Sequence, residues 1–339
     1  MHISELDYDL PEELIAQHPS DRRDASRLLV VDRATGAMRI DVYRNVASYL
    51  RRGDCLVLNR TRVIRARLRA SRPTGGSAEI FLLHERAPGT WDALVQPSAK
   101  IAPGTALRVG PITATVEERL GNGRRRVVFD RVDVLRILEE AGEVPLPPYI
   151  RRAHTDPADV ERYQTIYAKE PGSVAAPTAG LHFTEDVFSS LDAAGITRAT
   201  LTLHVGYGTF SPIRAERVED HTLEPEAFEL TEETAAALNA TRAAGGRIVA
   251  VGTTTTRVLE SQFRDGAIRA GTGETAHYIY PPYTFRAVDA LQTNFHLPRS
   301  SLLALVYAFG GTELVREAYR LAIAERFRFY SYGDVMLLV

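Results

Sequence analysis

The sequence predicts a mixed α/β (α+β) fold, in which a large α/β domain is built from both chain ends and an all-β barrel domain is inserted between them. Short strands alternate from about residue 66 to 130, which is typical of small barrels. After about residue 150, helices alternate with single strands, which favours an α/β layer. The first 65 residues show the same alternation of helix and strand signals as the C-terminal part. We therefore expect residues 1–65 and 146–339 in the large domain and 66–145 in the barrel.

In the first segment, apolar spacing predicts short helices at 11–17 and 43–50. Strands are predicted at 27–32 and 55–58. Because this alternation matches that of the C-terminal half, both ends are assigned to one α/β domain.

The middle of the chain carries strand signals at 78–86, 90–96 and 105–109. Gly121-Asn122-Gly123 then separates ITATVEERL from RRRVVFD. An Asn-Gly pair between β-prone runs is the strongest short signal of a hairpin. VPLPPYI at 144–150 reads as a proline-stiffened linker that returns the chain to the large domain.

The C-terminal half alternates between two kinds of element. Strands are predicted at 197–205 and 247–252. Helices are predicted at 157–168, 184–194, 231–244, 254–265, 299–309 and 312–327. Thr184, Thr231 and Thr312 occupy expected N-cap positions, with acidic residues in the following turn.

Composition excludes several classes of protein. Apolar residues make up 45% of the 339 positions and charged residues 25%, so the chain can bury enough surface to fold. The net charge of −2 excludes a strongly basic nucleic-acid binder but not a local basic face. Cys55 is the only cysteine, which excludes an intrachain disulfide or a Cys-based metal site. Without a signal-peptide core or a long apolar run, we expect a cytoplasmic protein with no membrane contact.

Four segments place small, polar and His residues where a core pattern would not. They are PTAGLHFT at 177–184, HVGYGTF at 204–210, VGTTTTR at 251–257 and TNFHLPRSS at 293–301, where Pro298 is expected to start a helix. Strand-to-helix turns present free N–H groups at the carboxyl edge of an α/β sheet, where ligands bind. Each segment alone is also compatible with an ordinary turn, but their recurrence favours a shared site.

Several common sites are absent from the sequence. It has no Walker A sequence and no Rossmann fingerprint, and the histidines lack metal-ligand spacing. We therefore predict no metal site.

Arginines cluster between 60 and 72 with no acid among them. Arg65, Arg67 and Arg69 alternate with apolar residues, so on a strand their guanidinium groups share one face. That face predicts phosphate contact, and the alternative is a solvated edge strand.

The motifs together resemble those of the S-adenosylmethionine:tRNA ribosyltransferase-isomerases of queuosine biosynthesis. The matching segments are collinear and span nearly the whole chain. They are LPEELIAQHP (10–19), RDASRLLVVDR (23–33), LNRTRVIRARL (58–68), VPLPPYI (144–150), RYQTIYAKEPGSVAAPTAGLHFT (162–184), LHVGYGTFSPI (203–213), VGTTTTRVLES (251–261), DALQTNFHLPRSSLLALVYAFGG (289–311) and FRFYSYGDVMLL (327–338).

The chain departs from the family pattern at three places. Arg60 replaces an Asn, Arg65 replaces a Pro, and Glu224 stands where a second His is usual. A mechanism that needs both histidines would fail here.

The resemblance implies that S-adenosylmethionine is a ribosyl donor and co-substrate, with no further cofactor. The acceptor would be 7-aminomethyl-7-deazaguanine at the wobble position of tRNA. The products would be epoxyqueuosine-tRNA, adenine and methionine. We expect a monomer. Two alternatives stay open, namely a non-catalytic tRNA-binding protein on the same scaffold and an S-adenosylmethionine-dependent methyltransferase.

The matched motifs supply the predicted site residues. The catalytic candidates are His204, His182 and His296, in that order of preference as the base that removes a C5′ proton next to the sulfonium. Predicted substrate contacts are Asn59, Thr61, Arg62, Pro177, Thr178, Gly180, Phe183, Gly206, Gly208, Thr209, Asp220, His221, Gly252, Thr253, Thr254, Thr255, Arg257, Thr293, Asn294 and Phe295. Predicted tRNA contacts are Arg65, Arg67, Arg69, Arg124, Arg125, Arg126, Arg151 and Arg152.

Overall fold

The structure is a computed structural model that describes residues 1–121, 123–151, 156–210 and 212–339. Within these ranges, nine strands form a large sheet and seven form a second sheet. The predicted fold class, a mixed α/β protein with a β-barrel, is confirmed.

The strands of the large sheet come from both sides of the barrel in sequence. They are β1 (Arg27–Val31), β2 (Met38–Val42), β3 (Cys55–Asn59), β13 (Thr197–Leu203), β14 (Glu226–Leu230), β15 (Ile248–Val251), β18 (Gly271–Thr275), β19 (Ala290–Asn294) and β20 (Val335–Leu338). Their spatial order is β18-β14-β13-β3-β15-β19-β20-β1-β2. Neighbours β13, β3, β15 and β19 run parallel, whereas β20 is antiparallel to β19.

The barrel sheet uses consecutive strands from the middle of the chain. They are β5 (Arg67–Ser71), β6 (Ser77–Ala87), β7 (Thr90–Gln96), β8 (Ala106–Val109), β9 (Ile112–Gly121), β10 (Arg124–Phe129) and β11 (Gly142–Glu143). Pairing of β5 with β8 closes six of them into a barrel, and β11 adds to β5. The predicted hairpin corresponds to the antiparallel pair β9–β10, while Asn122 itself lies outside the described residues.

Two small sheets and the helices complete the described elements. The small sheets pair β4 (Thr61–Val63) with β12 (Glu170–Ser173) and β16 (Phe263–Arg264) with β17 (Ala267–Ile268). The α-helices are α1 (Val134–Ala141), α2 (Asp159–Arg162), α3 (Glu185–Ala193), α4 (Glu232–Ala243), α5 (Thr253–Ser261), α6 (Ser301–Gly310) and α7 (Thr312–Ala324). Short 3₁₀ turns occupy Ile3–Leu6, Glu12–Leu14, Arg23–Ala25, Tyr43–Tyr49, Ser98–Lys100, Thr178–Gly180, Tyr207–Phe210 and Val218–Asp220. No helix in the described ranges combines the length and apolarity that a membrane crossing requires.

Both faces of the central strands are buried. Along β1, Leu28 and Val30 pack in one core cluster and Leu29 and Val31 in another, as the two-residue period of a strand requires. The barrel encloses a separate cluster that includes Trp91. The sheet can therefore hold rigid strand ends, on which a site can be built.

Four predicted helices differ from the structure. The 157–168 helix shortens to α2 because Gln164 hydrogen-bonds both backbone groups of Val63, which fixes the chain beside β4. The 11–17 helix is a single 3₁₀ turn, since Leu14 and Ala16 pair with the backbone of Phe329. The 43–50 helix is also 3₁₀. Helix 254–265 is α5, which ends at Ser261 before the hairpin β16–β17.

Of the four residues predicted to cap or start a helix, two do so in the structure. Thr184 and Thr231 each accept a hydrogen bond from the third residue of their helices. Thr312 is instead the first helical residue, after Gly311. Pro298 does not start α6, because Ser300 caps it through the N–H of Leu303.

Candidate functional site

The carboxyl ends of four parallel strands meet at one edge of the large sheet. Strands β3 and β19 end at Asn59 and Asn294. Strands β13 and β15 are followed directly by His204 and Gly252. Because parallel strands share their carboxyl edge, three of the four unusual segments converge there, and the fourth, 177–184, joins them. This is the edge at which α/β sheets bind ligands.

A cleft opens at this edge, with about 660 Å³ of non-protein space, open solvent included. Its lining residues are Tyr149, Ala176, Pro177, Thr178, Ala179, Val205, Thr209, Gly252, Thr253, Thr254, Thr293, Asn294, Phe295, His296, Leu297, Ser300, Leu302, Tyr330 and Ser331. We call this the main cleft.

The start of helix α5 forms one wall of the main cleft. Gly252 has φ +94°, a conformation that favours glycine, and the first N–H groups of α5 follow it without intrahelical partners or a side-chain cap. Thr253 and Thr254 line the cleft. Thr255, predicted as a contact, instead donates its hydroxyl to Val251 O at 2.8 Å and is fully buried.

The 177–184 segment contributes through its first residues. Pro177 and Thr178 line the cleft, and the carbonyl of Ala179 accepts a hydrogen bond from Gln292 at 2.8 Å. Gly180 packs under Tyr167, whose hydroxyl would lie 2.0 Å from an added Cβ. Phe183 is fully buried and stacks on Phe188 in the core. The structure therefore gives Gly180 and Phe183 packing roles.

Asn294 presents an unused acceptor at the cleft. Its Nδ2 donates to the Tyr330 carbonyl at 3.2 Å, and it lies 3.4 Å from His182 Nε2. Its buried Oδ1 has no hydrogen-bond partner among the described residues. An unpaired buried acceptor is costly, so a ligand donor at this position would be stabilised.

The sequence analysis missed Tyr330, although its segment was matched. Tyr330 lines the cleft, holds φ +70°, and its buried hydroxyl is unpaired within the described ranges. Strained residues of this kind concentrate at functional sites. Tyr149 and Ser331, 2.6 Å apart through their hydroxyls, also line the cleft. Aromatic residues in the matched VPLPPYI and FRFYSYGDVMLL segments were the available signal.

The three candidate histidines occupy different surroundings. His296 lines the cleft, its Nε2 lies 2.7 Å from Thr293 Oγ1, and burial lowers its pKa to about 3. His182 is buried against Ser26 at 2.9 Å, and burial together with nearby arginines lowers its pKa to about 3. Both imidazoles are therefore neutral at pH 7.

His204 is half-buried and lies beside the cleft rather than among its described lining residues. Its Nδ1 is 2.9 Å from Thr61 Oγ1, and Gly172 leaves room for its ring. Burial lowers the pKa of His204, while the carboxylates of Glu170 and Glu229 act in the opposite direction.

A second, smaller cavity shares Thr209 with the main cleft. Its lining residues are His84, Gly206, Gly208, Thr209, Leu223, Glu224, Pro225, Glu226 and Arg257. The predicted contacts Gly206, Gly208 and Arg257 thus lie here. We call this the Arg257 cavity.

Five other predicted contacts lie outside both cavities, as far as the described lining shows. Asn59 pairs with the backbone of Leu203 and so joins β3 to β13. Thr61 holds His204, and Arg62 faces Glu139 on the surface. Asp220 ends a 3₁₀ turn, after which His221 packs edge-on to Tyr278.

The predicted tRNA arginines are mostly paired with acids. Arg67 contacts Glu79 at 3.3 Å, Arg126 contacts Asp92 at 2.7 Å, and Arg69, Arg124 and Arg151 form ion pairs with Glu143, Glu224 and Glu12. Arg65 donates to the Glu139 carbonyl. Arg152 lies outside the described residues.

Two expectations about these arginines need correction. Arg125 is buried and donates to the carbonyls of Arg124 and Ser98, which leaves little of its guanidinium accessible for a phosphate contact. Strand β5 has partners on both sides and is therefore not an edge strand, while the alternative that its arginines are only solvated charge stays a prediction. Arg67 and Arg69 share one face of β5, as the alternation predicts, whereas Arg65 precedes the strand.

Comparisons with known proteins agree with this architecture. A family model described as "Queuosine biosynthesis protein" matches residues 3–338. A protein of Anaeromyxobacter sp. (strain Fw109-5) named S-adenosylmethionine:tRNA ribosyltransferase-isomerase is 52% identical, over 100% of this chain and 99% of its own. One of the same name from Rubrobacter xylanophilus is 53% identical, over 100% and 98%.

A comparison with solved structures finds the same family. The crystal structure of S-adenosylmethionine tRNA ribosyltransferase from Thermotoga maritima is 39% identical, covers 99% of this chain and 100% of its own, and gives a TM-score of 0.58. The resemblance seen in the sequence motifs is thereby confirmed, and this chain belongs to the queuosine biosynthesis protein family.

Proposed function

We propose that this protein transfers and isomerises the ribosyl moiety of S-adenosylmethionine onto 7-aminomethyl-7-deazaguanine at the wobble position of tRNA. The products are epoxyqueuosine-tRNA, adenine and methionine. One observation carries the proposal: six of the matched segments, which lie between residues 144 and 338, contribute residues to a single cleft at the carboxyl edge of the sheet.

The donor chemistry fits what the chain offers. A sulfonium acidifies the C5′ protons of its ribose, so a positioned base can remove one and leave a carbanion. That carbanion attacks C1′ as the bond from C1′ to adenine breaks and adenine leaves with its electron pair, which closes a five-carbon ring. In the overall transfer, the acceptor amine forms a C–N bond to this carbon skeleton and loses a proton, and the C–S bond breaks so that methionine leaves. These steps draw on S-adenosylmethionine itself, so we include no further cofactor in the proposal.

His204 is the base in this proposal. A base works best when its pKa lies near the working pH. At pH 7, protonating an imidazole with a pKa of about 3, as in His182 and His296, costs about 5 kcal/mol. His204 is less buried and has two carboxylates nearby, which favour its protonated form.

The other polar residues of the cleft bind and orient the donor. Neutral His296, the hydroxyl of Thr254 and the unpaired Oδ1 of Asn294 offer hydrogen bonds to the ribose hydroxyls and to the departing adenine. The hydrophobic part of the lining, including Phe295 and Leu297, excludes water from the carbanion.

The acceptor requires tRNA, so the proposal places the protein in the cytoplasm, where tRNA is modified. Local arginines supply the phosphate contacts, since the net charge is −2. We propose that it acts as a monomer, which sedimentation of the purified protein with and without tRNA would test.

A direct experiment separates this function from its alternatives. The protein is incubated with S-adenosylmethionine and tRNA that carries the aminomethyl-deazaguanine, and small-molecule products are measured by mass spectrometry. We expect adenine and methionine in equal amounts, and neither with tRNA that carries guanine at the wobble position. S-Adenosylhomocysteine as product would establish a methyltransferase, and tRNA binding without adenine release would indicate a non-catalytic binder.

A further inference from the structure

The Arg257 cavity contains a buried ion pair between Glu226 and Arg257, in which only the carboxylate has hydrogen-bond partners for all of its polar atoms. Glu226 Oε1 accepts from the N–H of Gly206 at 2.8 Å and from Thr209 Oγ1 at 2.7 Å, and Oε2 accepts from Arg257 Nη2. Both side chains are at least 95% buried. The carboxylate of Glu226 therefore has partners on both oxygens.

The guanidinium of Arg257 does not. Its Nε and Nη1 atoms are buried and have no hydrogen-bond partner in the described part of the chain. Buried charged donors without acceptors are costly, and native proteins rarely leave them. A purely structural ion pair would gain nothing from this arrangement, whereas a binding site for an anionic group needs free donors of this kind.

We propose that Arg257 binds the α-carboxylate of the methionyl part of S-adenosylmethionine, an assignment that rests on the proposed function. The cavity also displays an acceptor for the α-ammonium. Glu224 pairs with Arg124 through Oε1, while its Oε2 lies beside Gly208, 3.1 Å from where a Cβ would be. Carboxylates and guanidinium groups together suit a zwitterion better than a simple anion.

The position of the cavity relative to the main cleft supports this assignment. Thr209 lines both spaces. Thr253 in the main cleft and Arg257 in the cavity lie four residues apart on α5, so they share a face with a rise of about 6 Å. In S-adenosylmethionine, four bonds separate the sulfur from the carboxyl carbon. One molecule of S-adenosylmethionine thus spans both spaces past Thr209, with its nucleoside in the main cleft and its amino-acid group in the Arg257 cavity.

Gly208 leaves room for Glu224 beside this route. A Cβ on Gly208 would lie 3.1 Å from Glu224 Oε2, which is crowded, whereas one on Gly206 would make ordinary contact with Glu226 at 3.7 Å and His84 at 3.9 Å. The 204–210 loop therefore lies close to both carboxylates. His84, from barrel strand β6, forms one wall of the cavity. Burial and the nearby Arg86 and Arg124 lower the pKa of its imidazole.

The test compares ligands that differ in one group. Equilibrium binding to the wild-type protein is measured by calorimetry for S-adenosylmethionine and for its decarboxylated form, which keeps the sulfonium and the ammonium. We expect the decarboxylated ligand to bind about 10- to 100-fold more weakly, since it loses a charge-assisted hydrogen bond. Binding within threefold would overturn the proposal. This is also the result expected if the cavity holds the ammonium of the acceptor base.

Variants then assign the effect to one residue. Arg257→Gln should bind both ligands with similar affinity, and Arg257→Lys should restore part of the preference. Arg247→Gln is a matched control, because Arg247 pairs with buried Asp54 at 2.7 Å at the amino end of β15. It should keep the wild-type preference. A preference that survives Arg257→Gln would overturn the assignment.

The comparison within wild-type protein needs no folded variant, so it can overturn the proposal even where Arg257→Gln is unstable, and Arg257→Lys then tests the assignment to Arg257. Failure of the proposed function has a separate signature. Carboxylate-dependent binding without release of adenine in the tRNA assay would contradict the activity and support the role of Arg257.

Discussion

At the scale of single residues, the candidate histidines differ in how much burial lowers their pKa. We expect His204→Ala to lower kcat by at least about 100-fold with little change in the affinity for S-adenosylmethionine, because it removes the proposed base. His296→Ala should mainly weaken donor binding, since its neutral ring lines the cleft. Exchange of the C5′ hydrogens with deuterated solvent, read by mass spectrometry, measures the step directly. Near-normal exchange in His204→Ala together with its loss in His296→Ala would transfer the role to His296.

Asn294 provides a second test at the same scale. Replacing it with Ala removes the unpaired Oδ1 acceptor and also the hydrogen bonds of Nδ2. We expect the Kd for S-adenosylmethionine to rise about tenfold, because one hydrogen bond to the ligand is lost. Asn239→Ala is a suitable control, since that amide bonds only the backbone of Ile268 in the described structure. An unchanged Kd in Asn294→Ala would show that Oδ1 does not meet the donor.

The buried histidines also predict a dependence of stability on pH. His182 and His296 have a folded-state pKa of about 3 against about 6.5 when unfolded. Below pH 6.5 the unfolded state binds the extra protons, so stability is full above pH 6.5 and is lost as the pH falls toward 3. At pH 5 each histidine lowers the free energy of unfolding by on the order of 2 kcal/mol relative to pH 7.

Denaturant titrations at pH 7.5 and 5 measure this loss. His182→Asn should show a smaller difference between the two pH values than the wild type, whatever its stability at pH 7.5. Equal differences for the two proteins would mean that His182 is not held neutral by burial.

At the scale of elements, strand β5 and Arg65, two residues before it, carry three of the arginines predicted to meet tRNA. Arg65 and Arg67 use part of their guanidinium groups within the chain, yet neither is fully buried. We expect Arg65→Ala/Arg67→Ala to weaken tRNA binding more at low salt than at high salt. Each lost phosphate contact should lower the slope of log affinity against log salt by about 0.7–0.9. The affinity for S-adenosylmethionine should not change.

Binding at two salt concentrations measures those slopes. Arg264→Ala/Arg320→Ala removes two exposed arginines of the large domain and serves as the control. If all three proteins give one slope, Arg65 and Arg67 are solvated charge, and the tRNA surface lies elsewhere.

At the scale of the whole molecule, the predicted division into two domains can be tested by excision. The barrel has its own core cluster, and the backbone at Gly142 lies next to that at Arg65, so a short linker can replace 66–145. We expect the remaining 1–65 and 146–339 to unfold cooperatively with far-UV circular dichroism of an α/β protein. Loss of cooperative unfolding would show that the two parts form one folding unit.

Much of the fold could be predicted because local patterns decide it. Apolar alternation located most barrel strands but only β1, β3, β13 and β15 of the large sheet, and threonine caps located the starts of α3 and α4, since both signals act within a few residues. The short 3₁₀ turn at Glu12–Leu14 could not be predicted, because distant Phe329 pairs with that backbone. The same holds for α2, which Gln164 ends by bonding Val63.

The sequence by itself determined four of the segments that line the main cleft, because chemistry-bearing residues and glycines are fixed in the chain. It also determined the family, since the motifs run along its whole length. The tertiary structure alone decided which side chains meet. Thr254 and Asn294 reach the main cleft, whereas Thr255 and Phe183 turn into the core and Arg257 enters a second cavity. Neighbouring residues on a helix or strand point in different directions, and only packing against distant elements determines which direction faces the ligand.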